Sequence, residues 1–379
     1  MKQTALGHSE VSGIGLRATD TSSRPADGGS GTRYIVIGAG AIGGTIGARM
    51  AEAGHEVVLV ARGAQYAALK SGGLRFRAPD GERVHRLPVV DAPETLGALR
   101  ATDVLVLTVK TQDCEGALNT WGQAPVEGGG TAAERLPVVC AQNGVESQRI
   151  ALRRFRHVYG VCVWLPATFV EPGVVSASGA PLSGILHLGR HPHGTDDTVR
   201  RIAADLETAR FEAPVVPDVA RWQYAKLLGN LANAIDALSG PVPGDGGRRL
   251  YAQVRTEGET VLDAAGIPYA SAQEQHDARG AKVQWAQGGG GSSWQSLARG
   301  TGTIEADFLN GEIVLLGRLY GVPTPVNELL QRLATEFARD KRPARSLPVT
   351  ELLRLADEAA DTARVRSGTH APQDRPARA

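Results

Sequence analysis

Apolar and polar positions along the chain change their period twice. From Arg33 the pattern is one of short apolar runs separated by helical stretches. Residues 34–37 (Tyr-Ile-Val-Ile) are flanked by glycine, the form of a strand buried on both faces. A glycine-rich turn follows, then a helical stretch over 41–53 that Gly54 stops, then a second strand over 56–61. Further apolar runs at 103–109 and 136–140 predict strands, with helical segments between them. Alternating strand and helix predict a doubly wound α/β fold for the first half. Between 158 and 188 the pattern turns strand-rich, and 174–177 and 185–188 are expected to add antiparallel strands to the same sheet.

After Pro217 the period becomes helical, over 218–238, 248–265, 271–287, 305–320 and 325–341. The last of these opens with Thr324 as N-cap and Pro325 in the first turn. The second half therefore reads as all-helical, with the boundary near 214–218 and a flexible Gly288–Gly291 loop inside it. Residues 1–32 carry Gly, Ser, Thr, Asp and Arg and read as a disordered extension without the apolar segment of a secretory signal. Residues 346–379 read as a tail, with a short helix available at 350–364. The expected division is 33–215, 216–345 and the two extensions.

Composition narrows the class. With 41 Lys+Arg against 40 Asp+Glu the net charge is +1, which removes the electrostatic case for a nucleic-acid or acidic-membrane binder. No stretch approaches the ~20 apolar residues needed to span a bilayer. Three scattered cysteines do not make a disulfide framework or a zinc site, and they suit a reducing, cytoplasmic compartment.

The turn after the first strand reads Gly38-Ala39-Gly40-Ala41-Ile42-Gly43, or G-x-G-x-x-G between a strand and a helix. Its glycines permit a tight turn, a close approach of a pyrophosphate and close helix–strand packing, and the helix N-terminus offers free N–H groups to phosphate. A glycine-rich turn without a nucleotide is the bland alternative. In an NAD-selective site a carboxylate would sit near the end of the second strand, but here Arg62 does. A guanidinium suits a 2′-phosphate, so the cofactor reads as NADP(H), with a solvated surface arginine as the alternative. Lys110 and Asn143 follow the next two strands and fall at the same carboxyl edge of the sheet. Lys110 could meet cofactor phosphate or ribose; Asn143 could meet the nicotinamide ribose or a substrate; either could be an ordinary turn residue.

In the second half, Trp222, Lys226, Asn230 and Asn233 recur at i, i+4, i+8 and i+11, one face of a continuous helix, while Leu227, Leu231, Ile235 and Leu238 form another. Asparagine is a poor helix former, so two beside a lysine suggest a polar stripe in a cleft; a solvated face is the alternative. Farther on, Thr303 can cap a helix starting near Glu305, which suits the first turn of such a helix.

Taken together, these positions resemble the ketopantoate reductase (2-dehydropantoate 2-reductase) family over about 33–342. The ordered set is Gly38/Gly40/Gly43, Arg62, Val109-Lys110-Thr111, Gln142-Asn143-Gly144, Trp222 with Lys226 and Asn230, Ser292-Ser293, and Glu305 twelve residues after Ser293 in Glu-x-Asp-x-x-Asn-Gly. The resemblance implies an N-terminal Rossmann-type domain and a helical C-terminal domain, with NADPH and a 2-oxo acid between them. It implies Lys226 as the acid. Asn230, Ser293 and Asn143 would bind substrate, Glu305 would join Lys226 as a catalytic residue by orienting it or binding substrate, and Gly38, Ala39, Gly40, Ala41, Ile42, Gly43, Arg62, Lys110 and Asn143 would hold the cofactor; Asn233, on the same stripe, is read as a further substrate contact. A lysine ammonium can donate a proton to the oxygen that gains charge as hydride arrives, so no metal is required.

The chain departs from the family pattern at a few points. Ala234 stands where a second asparagine is usual, with Asn233 one position earlier; Trp294 and Leu297 replace a smaller apolar residue and an aspartate; and Gln112 is displaced. These positions bear on substrate more than on cofactor. Two substrates stay open, 2-dehydropantoate and another 2-oxo acid. The oligomeric state is open as well, with a homodimer among the options.

Overall fold

The computed structural model describes residues 31–241, 244–280, 282–285 and 290–366. Residues 1–30 of the expected N-terminal extension, part of the four-glycine run and the end of the tail lie outside these residues.

The first half is an eight-stranded sheet. Its strands in chain order are β1 (Arg33–Ile37), β2 (Glu56–Val60), β3 (Val89–Val90), β4 (Val104–Leu107), β5 (Pro137–Cys140), β6 (His157–Trp164), β7 (Gly184–Arg190) and β8 (Phe211–Glu212), and their spatial order is β8-β7-β6-β5-β4-β1-β2-β3. All neighbours run parallel except β6 and β7. Strand order reverses between β1 and β4, where Ile37 pairs with Leu107, so the turns after both strands open on one crevice. The apolar runs expected from the sequence are β1, β2, β4 and β5, and each is buried over most of its length.

The helix Ala41–Glu52 is buried at every position from Gly43 to Met50, because it is packed on two sides. One side is the main sheet, where a Cβ on Gly47 would fall 2.7 Å from Leu59. The other is a second sheet of four strands in the order Gly81–His85, Leu74–Ala78, Val174–Ala177, Ala167–Thr168, where a Cβ on Gly44 would fall 2.8 Å from Val175. Here the expectation for 174–177 is corrected: this strand pairs with Leu74–Ala78, about a hundred residues away in the chain, and never joins the main sheet. Its partner is chosen by the helix both strands cover, which local periodicity does not encode.

The second half packs its helices around one apolar core that includes Leu228, Leu250, Ile313, Leu330 and Phe337. The expected helix over 218–238 is two helices, Val219–Asn230 and Ala232–Ser239, broken at Leu231. At the break the buried Asn310 amide donates to the Leu231 carbonyl at 3.4 Å. The expected helix over 271–287 ends at Arg279, where Gly280 takes φ +46, and Val283–Trp285 forms a strand against Gly179–Pro181. Among the described residues, the second half is therefore helical except for this strand.

Residue 305 opens a short 3-10 turn, Glu305–Phe308, and the helix proper is Asn310–Tyr320. Thr303 does not cap that turn; Ile304 occupies the cap position. Thr324 does precede the helix Pro325–Arg339, but its hydroxyl makes no cap bond. The carboxylate of Glu257 instead accepts from the N–H groups of Val326 and Asn327 at 2.9 and 3.0 Å. The segment read as tail contributes the helix Val349–Arg366, whose Leu352 and Ala356 are fully buried. Among the described residues no helix is long and apolar enough to cross a membrane.

Candidate active site

The turn after β1 divides labour among its glycines. Gly38 has φ +109, and a Cβ there would meet the Val109 nitrogen at 2.7 Å. A Cβ on Gly43 would meet the Gly38 carbonyl oxygen at 2.2 Å and Thr108 Oγ1 at 2.4 Å. Gly40 faces open space, with Phe169 Cδ1 at 4.0 Å as its nearest neighbour. The backbone of Ala39 is occupied: its N–H donates to Val60 at 3.1 Å, and its carbonyl accepts from Gln65 at 2.7 Å. The helix that starts at Ala41 has no side-chain cap and no acidic residue in its first turn. The first N–H groups of Ala41, Ile42 and Gly43 are thus available to an anion lying over Gly40.

Arg62 stands at the carboxyl end of β2, in the cap position of the helix Gly63–Gly72. It is exposed; its carbonyl accepts from the Tyr66 N–H at 3.3 Å, and among the described residues its side chain makes no hydrogen bond or ion pair.

The next two turns meet the helical half. Lys110 Nζ lies 2.5 Å from Ser296 Oγ and 3.4 Å from Glu305 Oε2. Glu305 is buried, and its Oε1 accepts from the Thr111 N–H at 3.1 Å and from the Thr111 hydroxyl at 3.3 Å. After β5, Asn143 Oδ1 accepts from Lys226 Nζ at 2.5 Å. Gly144 beside it has φ +80, and a Cβ there would fall 2.9 Å from the Phe308 carbonyl, so the turn sits flush against the segment that carries Glu305.

Behind Lys226 the helix is anchored on an aromatic stack. Trp222, one turn earlier, lies against the His187 ring at 4.1 Å with an 18° interplanar angle, and Cys162 Sγ donates to the Trp222 carbonyl at 3.3 Å. Burial pushes the Cys162 thiol up to about 12, so it is uncharged. Burial also pulls the Lys226 ammonium below the ordinary lysine value, and the negative charge of Glu305 opposes that pull.

The structure thus brings Lys226, Asn143, Lys110 and Glu305 to one crevice from opposite halves of the chain. It does not pair Glu305 with Lys226; the carboxylate is held by Thr111 and Lys110. Asn230 is half-buried, and its Nδ2 is buried without a hydrogen-bond partner among the described residues. Ser293 is buried in the first turn of the helix Ser292–Ala298. Asn233 leaves the stripe: beyond the break at Leu231 its amide oxygen lies beside Gly291, and Ala234 points into the core.

The sequence reading gave no role to Thr111 or Ser296. Thr111 lay within the quoted Val-Lys-Thr run, but only the fold reveals what it holds. Ser296 follows Ser292 by one helical turn, the sole local hint of a shared face.

Comparison with known proteins extends the picture. The family profile described as ketopantoate reductase PanE/ApbA matches residues 34–193, and the profile for the C terminal of ketopantoate reductase PanE/ApbA matches residues 218–338. A 2-dehydropantoate 2-reductase from Mesorhizobium japonicum is 31% identical over 342 residues, covering 80% of this chain and 98% of that enzyme. The structure of a PanE/ApbA family ketopantoate reductase from Ralstonia eutropha JMP134 matches with a TM-score of 0.66 at 26% identity, over 82% of this chain and 99% of its own. A D-mandelate dehydrogenase in a ternary structure with NADH and anilino(oxo)acetate matches with a TM-score of 0.70 at 20% identity, over 82% of this chain and 99% of its own, a likeness of fold.

Proposed function

The chain belongs to the ketopantoate reductase family and is an oxidoreductase acting on a CH–OH group, and on that premise we propose that it reduces 2-dehydropantoate (ketopantoate) to pantoate with NADPH, Lys226 being the general acid. The observation that carries this reading is the contact of Lys226 with Asn143 at the carboxyl edge of the sheet, in the same crevice as the open turn at Gly40.

The residues present suit a dinucleotide. The space over Gly40, the uncapped helix N-terminus and the unpaired Arg62 offer one steric opening and two anion contacts. When bound, the nicotinamide supplies the hydride. The protein's part is the proton and the charge. Lys226 holds a proton on Nζ, and Asn143 Oδ1 fixes the direction of that ammonium. Desolvation makes the proton easier to give up, which matches a donor to a developing alkoxide. Lys110, Asn230 and Ser293 are donors suited to cofactor or to the substrate carboxylate, and Glu305 balances the two lysines.

The same proposal treats 33–215 as the cofactor domain and 216–345 as the substrate domain. On it the product enters the route to pantothenate and coenzyme A in the cytoplasm, and a homodimer is the assembly to test.

A second reading, a reductase of a different 2-oxo acid, is favoured by one observation: the position where an asparagine is usual holds the buried Ala234, and Asn233 faces Gly291 instead. Steady-state oxidation of NADPH and NADH with ketopantoate and a panel of 2-oxo acids separates the two. Preferred turnover of ketopantoate with NADPH supports the first; tight NADPH binding with turnover only of another 2-oxo acid supports the second; no turnover of any 2-oxo acid sinks both.

A further inference from the structure

Arg299 is a cation for which the chemistry above has no task. It immediately follows the helix Ser292–Ala298 and is half-buried. Its Nη1 donates to the Phe169 carbonyl at 3.3 Å, and its guanidinium carbon lies 5.1 Å from the centre of the Phe169 ring. Its Nε is buried without a hydrogen-bond partner, and among the described residues no carboxylate forms an ion pair with it. Burial lowers its pKa, and Glu305 is the negative charge that opposes this. A half-buried guanidinium with its Nε buried and unpaired, and with no carboxylate in ion-pair contact, keeps donors free for an anion.

Phe169 indicates which anion. Its N–H donates to Gln295 Oε1 at 3.1 Å, and Gln295 Nε2 donates to the Ala167 carbonyl at 3.2 Å. The segment before and at Phe169 is thereby held by the same helix that leads to Arg299. The ring it presents is the nearest neighbour of the open face of Gly40, with Cδ1 4.0 Å from where a Cβ would stand. Arg299 therefore packs on the ring that borders the open face of Gly40, beside the uncapped N-terminus of the helix Ala41–Glu52.

We propose that Arg299 is a second phosphate ligand, supplied by the helical half, which with the Gly40 turn grips the pyrophosphate of the nicotinamide cofactor while Phe169 covers the turn. This rests on the reading of the crevice as a dinucleotide site. A pyrophosphate held from both halves would couple cofactor binding to closure of the crevice. The arrangement also assigns two anions to two arginines: the exposed Arg62 takes the 2′-phosphate, and Arg299 takes the bridge common to NADPH and NADH.

The test is equilibrium titration of the full chain with NADPH and with NADH, without substrate, followed by the fluorescence of the reduced nicotinamide. Wild type, R299A and R299K are compared, with thermal melts of each. R299A is expected to weaken both cofactors by the same factor, about tenfold or more, as for a lost charge-assisted bond, and R299K to recover part of it. Reduced nicotinamide mononucleotide, which has no pyrophosphate, should lose less. Unchanged affinity for both dinucleotides in R299A overturns the assignment; a raised KM for the 2-oxo acid alongside it would give the residue to the substrate carboxylate. A loss confined to NADPH overturns it in favour of the 2′-phosphate. Wild type binding neither dinucleotide would instead bring down the cofactor reading itself, and this inference with it.

Discussion

Lys226 donates to the side-chain oxygen of Asn143 at 2.5 Å, joining two residues 83 positions apart in the chain. The lysine comes from the helical half and the amide from the turn after β5, so the ammonium is aimed only when the two halves are assembled. On the proposed mechanism, K226A lowers kcat by about 10²–10⁴-fold, the usual worth of a general acid, and leaves the NADPH dissociation constant nearly unchanged. Single-turnover reduction together with a binding titration checks this; activity within a few-fold of wild type would remove Lys226 as the acid.

The pH profile carries the same assignment. Burial depresses the Lys226 pKa, and reduction needs the protonated form. The rate is therefore present at low pH and falls as pH rises through the depressed value, so the alkaline limb should begin below the ordinary lysine range of about 10.4. N143A, which removes the hydrogen-bond acceptor from the ammonium, should move that limb. A profile identical to wild type in N143A would mean that Asn143 does not act on the lysine.

Two neighbouring glycines should fail differently. In G43A the new Cβ would fall 2.2 Å from a backbone oxygen, so the variant should lose roughly 1–3 kcal/mol or more of stability. In G40A the Cβ would meet nothing nearer than 4.0 Å, so the melt should move little while cofactor affinity falls. Urea unfolding and cofactor titration of both variants read this out. Equal destabilisation would mean that Gly40 is needed by the fold and not by a ligand.

Arg62 is exposed and unpaired among the described residues, so its replacement should cost the fold little. R62D should weaken NADPH far more than NADH, because aspartate repels a 2′-phosphate and accepts from a 2′-hydroxyl. Parallel titrations with the two cofactors decide it, and equal effects would remove the 2′-phosphate contact.

His187 predicts an acid-sensitive fold. It is fully buried against Trp222, and burial lowers its pKa to about 4. An unfolded histidine titrates near 6.5. Between those values the unfolded chain binds a proton that the folded chain refuses, so the stabilisation is full above about 6.5 and is lost as pH falls toward about 4, by up to about 3 kcal/mol. H187F keeps the aromatic contact and cannot be protonated. Its stability measured by urea at pH 7 and pH 5 should change less than that of wild type; an equal change would assign the acid sensitivity elsewhere.

The chain by itself determined the central strands of the first half and the edge where their turns meet. Apolar runs, the G-x-G-x-x-G spacing and the residues that follow each strand are local features, and parallel strands present their carboxyl ends to one edge, so Gly38, Gly40, Gly43, Arg62, Lys110 and Asn143 could be assigned to that edge before any coordinates. Lys226 was legible as a cation on a polar stripe. Tertiary structure decided where that stripe ends: Asn310 takes the carbonyl of Leu231, and the amide oxygen of Asn233 lies beside Gly291. It decided that Glu305 balances Lys110, that Glu257 caps the helix after Thr324, and that Val174–Ala177 joins a second sheet. It also brought Phe169 to the glycine turn and Arg299 against Phe169. Each of these depends on a partner tens to hundreds of residues away, and helix and strand periods report only which face of an element is buried, not what it is buried against.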